Sequence, residues 1–405
     1  MFTFVRSNAR WIAGGFALTF LSSFGQTFFI SLSAGELREL FSLSHGEFAQ
    51  LYMAATLASA ATLPFLGRIV DVLSVRATVL LCIPALALAC LLMSVLSHVA
   101  LLVAALYALR LFGQGMMTHI AITAMGRWFA ARRGRAVSLV ALGHQAGEMI
   151  LPIAFAALLA WGVGYRDVWL GAAAFLLLAG LPLAARLLAV ERVPSTRPSD
   201  RSEPVEGWTR AEVLRDRMFW TIATGVVAPA FIGTSLFFHQ VYLVELRGWS
   251  PVAFAGGFAV MGAVTVGAAL LAGQLVDRVG ARALLPWFLI PLAGSCLVLG
   301  NFAAEWAIVP FFALLGFSYG LSQTLFGALW PELYGTAHLG AIRSVTVSMM
   351  VLATALGPAV TGTLIDFGVA LPTQAYAMAA YCLVVSLVLG ATVRTARVAA
   401  REGVG

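Results

Sequence analysis

Lysine is absent from the 405-residue chain, and all 25 basic residues are arginine. Charge of either sign is scarce. Charged residues make up 11% of the sequence, against about 25% in a soluble domain, while 61% of residues are hydrophobic. So much apolar surface cannot be hidden in one aqueous core, and lipid is the expected solvent. Cysteine is scarce as well. Cys82, Cys90, Cys296 and Cys382 all fall inside apolar runs, which leaves no disulfide or metal framework. There is no Ser/His/Asp constellation and no phosphate-cradling glycine loop. A membrane enzyme or sensor therefore has nothing in the sequence to support it, and no metal or cofactor is expected.

What is present is a series of apolar runs. A crossing helix needs about 20 mostly apolar residues, and twelve runs qualify, over 11–32, 47–66, 77–96, 99–122, 135–160, 167–189, 218–242, 251–272, 283–301, 305–327, 343–366 and 372–393. Hydrocarbon offers no partner for free backbone groups, and the runs are too long for barrel strands, so helices are expected. The first run is too long for a signal-peptide core and is read as a retained span. Ser44-His-Gly-Glu47 is a capping-box pattern before the second span, and Ser250-Pro251 opens the eighth. Residues 191–208, rich in Pro, Ser and charge, read as a linker, and Thr209-Arg-Ala-Glu212 caps a short amphipathic helix after it.

The net charge of +7 would suggest nucleic acid in a soluble protein, but here the arginines sort by loop. Alternate segments hold Arg6, Arg10, Arg68, Arg76, Arg127, Arg132, Arg133, Arg135, the group from Arg186 to Arg217, Arg278, Arg282, Arg343, Arg394, Arg397 and Arg401. The intervening loops hold only Arg38, Arg166 and Arg247, and Arg110 lies within a span. The positive-inside bias puts both termini in the cytoplasm, hence an even number of spans.

The chain also repeats itself. Gly67 pairs with Gly273, Val70 with Val276, Asp71 with Asp277 and Arg76 with Arg282, at one separation (277 − 71 = 206). The same separation pairs Glu39 with Glu245, Ser44 with Ser250, Gly134 with Gly340 and Pro152 with Pro358, so two copies of one half are expected. The better-kept copy, Gly273-Gln-Leu-Val-Asp277-Arg278-Val-Gly280-Ala-Arg282, resembles the G-x-x-x-D-R-x-G-R-R loop of the major facilitator superfamily. The earlier copy has Val72 and Ser74 in place of the arginine and the second glycine. Trp128-Phe129 followed by Arg132-Arg133-Gly134 looks like the W-F-x-x-R-R-G signature of the superfamily's monocarboxylate and oxalate–formate branches. Simple anchoring to anionic lipid accounts for such basic loops without a direct role in substrate binding.

The resemblance implies an all-α integral membrane protein of twelve transmembrane helices, in two six-helix bundles related by a pseudo-two-fold axis. The expected division is 1–190, a cytoplasmic linker over 191–217, and 218–405. It further implies a secondary active transporter, a monomer in the inner membrane, that moves a small organic solute by alternating access. Its partners are expected to be that solute, protons and lipid, with no nucleic acid. Export of drugs or toxic compounds by proton antiport is the alternative. The resemblance also assigns gating to the loop residues Asp71, Arg76, Gly273, Asp277, Arg278, Gly280 and Arg282. Each aspartate is expected against a helix N-terminus of the opposite half, a contact of about 0.3–1 kcal/mol.

Ionisable groups deep in a bilayer need an explanation. Arg110 in the fourth span and Glu148 in the fifth fall near one depth and are expected to face each other, directly or through water. Packing alone is the competing reading of that pair. His144 and Glu148 are four apart and share a helix face, as do Arg110, Gln114 and Thr118. A carboxylate beside an arginine stays ionised and takes up a proton when the arginine is withdrawn, which is the coupling a proton-linked carrier needs. By resemblance, the first, fourth, seventh and tenth spans line the cavity. That nominates Gln26, Thr27, Arg110, Gln114, Thr118, Thr234, Phe238, Tyr319 and Gln323 for substrate. Phe24, Phe28 and Phe29 are explained by ordinary packing, and His119 and His239 as satisfied structural histidines. The eighth span carries no charge, so a dicarboxylate would lack a second partner, which leaves a monoanion held by Arg110 or a neutral or aromatic solute. The fifth-span antiporter motif is missing. Gly143 and Gly147 keep only a small-xxx-small spacing suited to close packing.

Overall fold

The computed structural model describes residues 2–129, 133–192, 207–335 and 337–402. Most of the expected linker and Arg132 of the basic loop lie outside them. Among the described residues the chain is helical, with one isolated β-bridge between Gly207 and Gly335. It divides into two compact units, Met1–Asp200 and Arg201–Gly405. Among the described residues ten helices are long and apolar enough to cross a membrane. The first span is a bent pair, Ala9–Gly25 and Thr27–Phe41, and the ninth a shorter apolar helix, Ile290–Asn301. These complete the twelve-span, all-α architecture.

Helix starts follow local chemistry. Ser44 and Glu47 form a reciprocal capping box, Ser250 caps the eighth span with Pro251 behind it, and Thr209 pairs with Glu212. The Thr209 backbone N–H on its carboxylate holds Glu212 below the usual carboxylate range. Two spans depart from the continuous helices expected. The ninth begins as the short turn Ala281–Leu284 and resumes only at Ile290, because Pro286 lacks the N–H a continuous helix needs. The first span, expected unbroken over 11–32, bends by 45°. It tightens into a 3₁₀ turn at Ser22–Gly25, and Gln26 is extended (φ −87°, ψ 153°).

Packing shows why the break sits there. A Cβ on Gly25 would stand 2.1 Å from the Leu109 carbonyl oxygen and 2.7 Å from the Gly113 Cα. A Cβ on Gly113 would in turn stand 2.6 Å from the Gly25 Cα. Here the first and fourth spans touch backbone to backbone. The fourth responds by widening into a π-helix over Leu109–Met117. On its other side the first span meets the fifth. A Cβ on Gly143 would stand 2.1 Å from the Phe16 carbonyl oxygen, and one on Gly147 2.0 Å from Ser23 Oγ. The segment Ser22–Thr27 is therefore gripped from two sides by helices that present glycine to it.

In the second unit the eighth and tenth spans carry the close approach. Gly316 and Gly320 face the backbone of Met261 and Thr265, and Gly257 faces the Phe312 ring. Gly316 stands at the position equivalent to Arg110 (316 − 110 = 206), and the tenth span runs unbroken over Ile308–Tyr334.

Gly113→Ala should separate the first and fourth spans. Atoms forced into a packed core cost about 1–3 kcal/mol, so a fall in Tm of about 5–10 °C is expected. Gly171→Ala, in open space on the sixth span, should leave Tm unchanged or slightly raised. Equal melting of the two variants in detergent would show that the glycine contact is not what holds the spans together.

Candidate functional site

The break in the first span frees groups that a continuous helix would occupy, and Arg110 collects them. The residue is 2% exposed. Nη1 donates to Thr27 Oγ1 at 3.3 Å and, at 3.5 Å, to the Gly25 carbonyl. The Thr27 hydroxyl lies 2.6 Å from the Tyr52 hydroxyl, and the Tyr52 ring centroid is 5.4 Å from the Arg110 guanidinium carbon. The arginine is thus held by a carbonyl, a hydroxyl and a π face. No carboxylate is ion-paired with it among the described residues, and Nε is buried without an acceptor. A guanidinium has five N–H donors in a fixed fork, so capacity to bind an anion remains.

Arg110 and Glu148, expected to face each other directly or through water, make no direct bond. The first span supplies the arginine's partners instead, through the carbonyl and hydroxyl on either side of Gln26. Glu148 is 6% exposed and takes no hydrogen bond or ion pair from the described residues. His144, one turn earlier, makes no bond to it, and its ring packs 6.1 Å from that of Phe28. Neighbouring Gln145 Oε1 and Ser23 Oγ are also buried without partners. Buried polar atoms are normally paired, so a group of unpaired ones in one bundle marks a place built for something else. Gln26, Gln114 and Thr118 are half-buried, with Gln114 one turn beyond Arg110.

The residues nominated in the second unit are ordinary by comparison. Thr234 is buried and donates to the Ala230 carbonyl. Phe238 packs edge-on against the His239 ring, and His239 Nε2 lies 3.1 Å from the Pro358 carbonyl oxygen, a satisfied structural histidine. Tyr319 points its hydroxyl at Gly233, where a Cβ would stand 1.7 Å away, and Gln323 is exposed. At the positions equivalent to Tyr52, Arg110 and Glu148 the second unit has Phe258, Gly316 and Thr354. Phe24 and Phe29 belong to an aromatic core with Phe155, Trp169 and Phe175.

The loop residues divide between the units. Asp71 is ion-paired with Arg127 at the end of the fourth span, which also donates to the Val70 carbonyl at 2.8 Å. Arg282 pairs with Glu332 of the tenth span at 3.6 Å. Glu332 also accepts the Ala281 backbone N–H at 2.7 Å, and Gly280 before it has φ +81°, a conformation that favours glycine. Arg76, Asp277 and Arg278 are exposed, and Gly273 has no atom within 4 Å of where a Cβ would be.

Sequence reasoning missed Tyr52, Arg127, Glu191 and Glu332. Glu191 accepts the Val75 backbone N–H at 2.8 Å, and Val75 is the equivalent of Ala281. Tyr52 alone left a usable signal: a hydroxyl inside an apolar span must find a partner.

Comparison with known proteins agrees with this architecture. The family model described as Major Facilitator Superfamily matches residues 15–358. The oxalate:formate antiporter of Oxalobacter formigenes is 26% identical over 242 residues, covering 58% of this chain and 56% of that protein's length. A bacterial homolog of the human lysosomal transporter Spinster superposes with TM-score 0.69 at 17% identity, covering 95% of this chain and 94% of that one. A mutant of the nucleoside transporter NupG gives 0.68 at 13%, covering 94% and 99%. A POT family transporter in complex with 5-aminolevulinic acid gives 0.68 at 14%, covering 95% and 96%. Two six-span repeats, the duplicated loop motif and a family match across most of its length make this chain a member of the major facilitator superfamily, a family of membrane transporters and not of enzymes.

Proposed function

We propose that the chain is a proton-coupled carrier for a small organic monoanion, working by alternating access in the inner membrane with both termini in the cytoplasm. The observation that carries this reading is that one bundle buries both the guanidinium of Arg110, with no carboxylate paired to it among the described residues, and Glu148, with no partner among them. An ionised carboxylate so placed costs several kcal/mol, a cost that a proton removes. Arg110 receives the anion, with Thr27, Tyr52, Gln26 and Gln114 around it. Glu148 takes the proton, with His144 one turn away. The relative's name contains a dianion and a monoanion. A single buried arginine, with no Arg, Asp or Glu among the described buried residues of the second unit, matches the singly charged member. Neutral or aromatic solutes and drug export are the competing readings, and a neutral solute leaves the buried positive charge without a counter-ion.

The loop residues Asp71, Arg76, Gly273, Asp277, Arg278, Gly280 and Arg282 serve the gate. Asp277 is free to do so within its own unit, whereas Asp71 is already engaged by Arg127.

Four outcomes are expected. Glu148→Gln in proteoliposomes should lose uphill accumulation at least tenfold yet keep solute exchange within about threefold, and parental accumulation would remove Glu148 from coupling. For the purified protein, a panel of formate, acetate, lactate and benzoate should contain a stabilising ligand, and oxalate should not stabilise. Arg110→Gln should weaken binding of that ligand about 10- to 100-fold, the worth of a charged hydrogen bond. Undiminished stabilisation would assign Arg110 to packing. Asp277→Asn should slow transport with unchanged expression, and a wild-type rate would dissociate this residue from the gate.

A further inference from the structure

The second span brings an aromatic ring to the Arg110 centre. Tyr52 is fully buried, its ring centroid 5.4 Å from the guanidinium carbon and its hydroxyl 2.6 Å from Thr27 Oγ1. Its equivalent in the second unit (258 − 52 = 206) is a phenylalanine, just as buried, packed against Phe237, Phe254 and Phe312. The ring is therefore common to both copies, and in the second it serves packing. The hydroxyl is not common to them. Where it is missing, Gly233 and Gly316 stand at the places of Thr27 and Arg110. Hydroxyl, threonine and arginine are present together in one unit and absent together from the other.

Thr27 differs from other threonines of the spans. Thr62, Thr234, Thr265 and Thr363 turn their hydroxyls onto the carbonyl four residues back in their own helices. Thr27 follows the break at Gln26, and its hydroxyl reaches away from its own helix, accepting from Arg110 Nη1 at 3.3 Å and meeting the Tyr52 oxygen. A hydroxyl has one hydrogen and two lone pairs. One lone pair takes the arginine, and the hydrogen or the other lone pair takes Tyr52. Two partners on different helices fix the side-chain rotation. With one removed, the hydroxyl is free to turn back to its own backbone, as the other threonines do. We infer that the Tyr52 hydroxyl is a positioning group for anion binding: it pins Thr27 as an acceptor for Nη1 and so fixes the guanidinium fork, whose Nε has no acceptor among the described residues. A fork held by neutral groups loses little freedom when an anion arrives. This inference deepens the carrier reading and rests on it, since it takes Arg110 as the seat of the anion.

The test uses the purified full-length protein, with formate, acetate, lactate and benzoate each titrated by calorimetry. Tyr52→Phe keeps the ring beside the guanidinium and loses the hydroxyl, and Phe258 shows that this helical frame accepts the bare ring. It should weaken the tightest-binding of the four anions about fivefold, the worth of one hydrogen bond. In proteoliposomes the loss should fall on KM, with the maximal exchange rate within about twofold of the parent. With Thr27→Val already in place, adding Tyr52→Phe should weaken binding by less than about twofold, because the group it acts through has gone. Parental affinity in Tyr52→Phe, alongside weak binding in Arg110→Gln, would overturn this inference and leave the carrier reading standing. An equal loss in both backgrounds would do the same, since the hydroxyl would then act on something other than Thr27. If Arg110→Gln binds as the parent does, or if none of the four anions binds the parent, the inference and the carrier reading fall together.

Discussion

Gly25 and Gly113 bring two helix backbones into contact with nothing between them, and the first unit's chemistry follows from that contact. The first span breaks at Gln26 and the fourth widens into a π-helix. Broken backbone at membrane depth is tolerated only where it lines protein or a polar cavity. Here the freed Gly25 carbonyl and the Thr27 hydroxyl become ligands for Arg110. The glycines, the break and the buried cation form one device. In the second unit the equivalent residues are Phe231 and Tyr319, and the tenth span stays regular.

The duplication thus preserved a frame and let its contents diverge. The capping serines Ser44 and Ser250 and the loop motifs keep their register. The charged centre occupies one copy alone. Where the first unit buries an arginine, the second has Gly316 against the Met261 backbone, and the space becomes a tight helix crossing. A buried cation and a tight helix crossing stand at matching places in the two halves.

Much of the fold was legible in the sequence because lipid imposes a simple rule: apolar length decides where helices lie. The twelve spans and the caps at Ser44, Thr209 and Ser250 followed from it. The bend at Gln26 did not, since it depends on a glycine more than eighty residues away in the chain (113 − 26 = 87). The ninth span came out shorter because the hydropathy of 283–301 hides the effect of Pro286. At the site, Arg110 and Glu148 stood out as charges in apolar runs, and both are buried. They were expected to face each other directly or through water, and of these the direct contact is absent, because the first span supplies the arginine's partners. Arg127, Glu191 and Glu332 were invisible, since a charged residue at a helix end looks the same whether it is solvated or clamped on a neighbour.

The two carboxylates on the third and ninth spans differ in origin. Glu332 belongs to a helix inside its own bundle, whereas Glu191 stands where the chain leaves the first bundle. A protein cut after the sixth span would strip the N-terminal fragment of the acid that seats its third helix. The C-terminal fragment would carry its own. The evolutionary seam is therefore not a neutral place to divide the polypeptide, and the penalty for dividing it falls on one copy only.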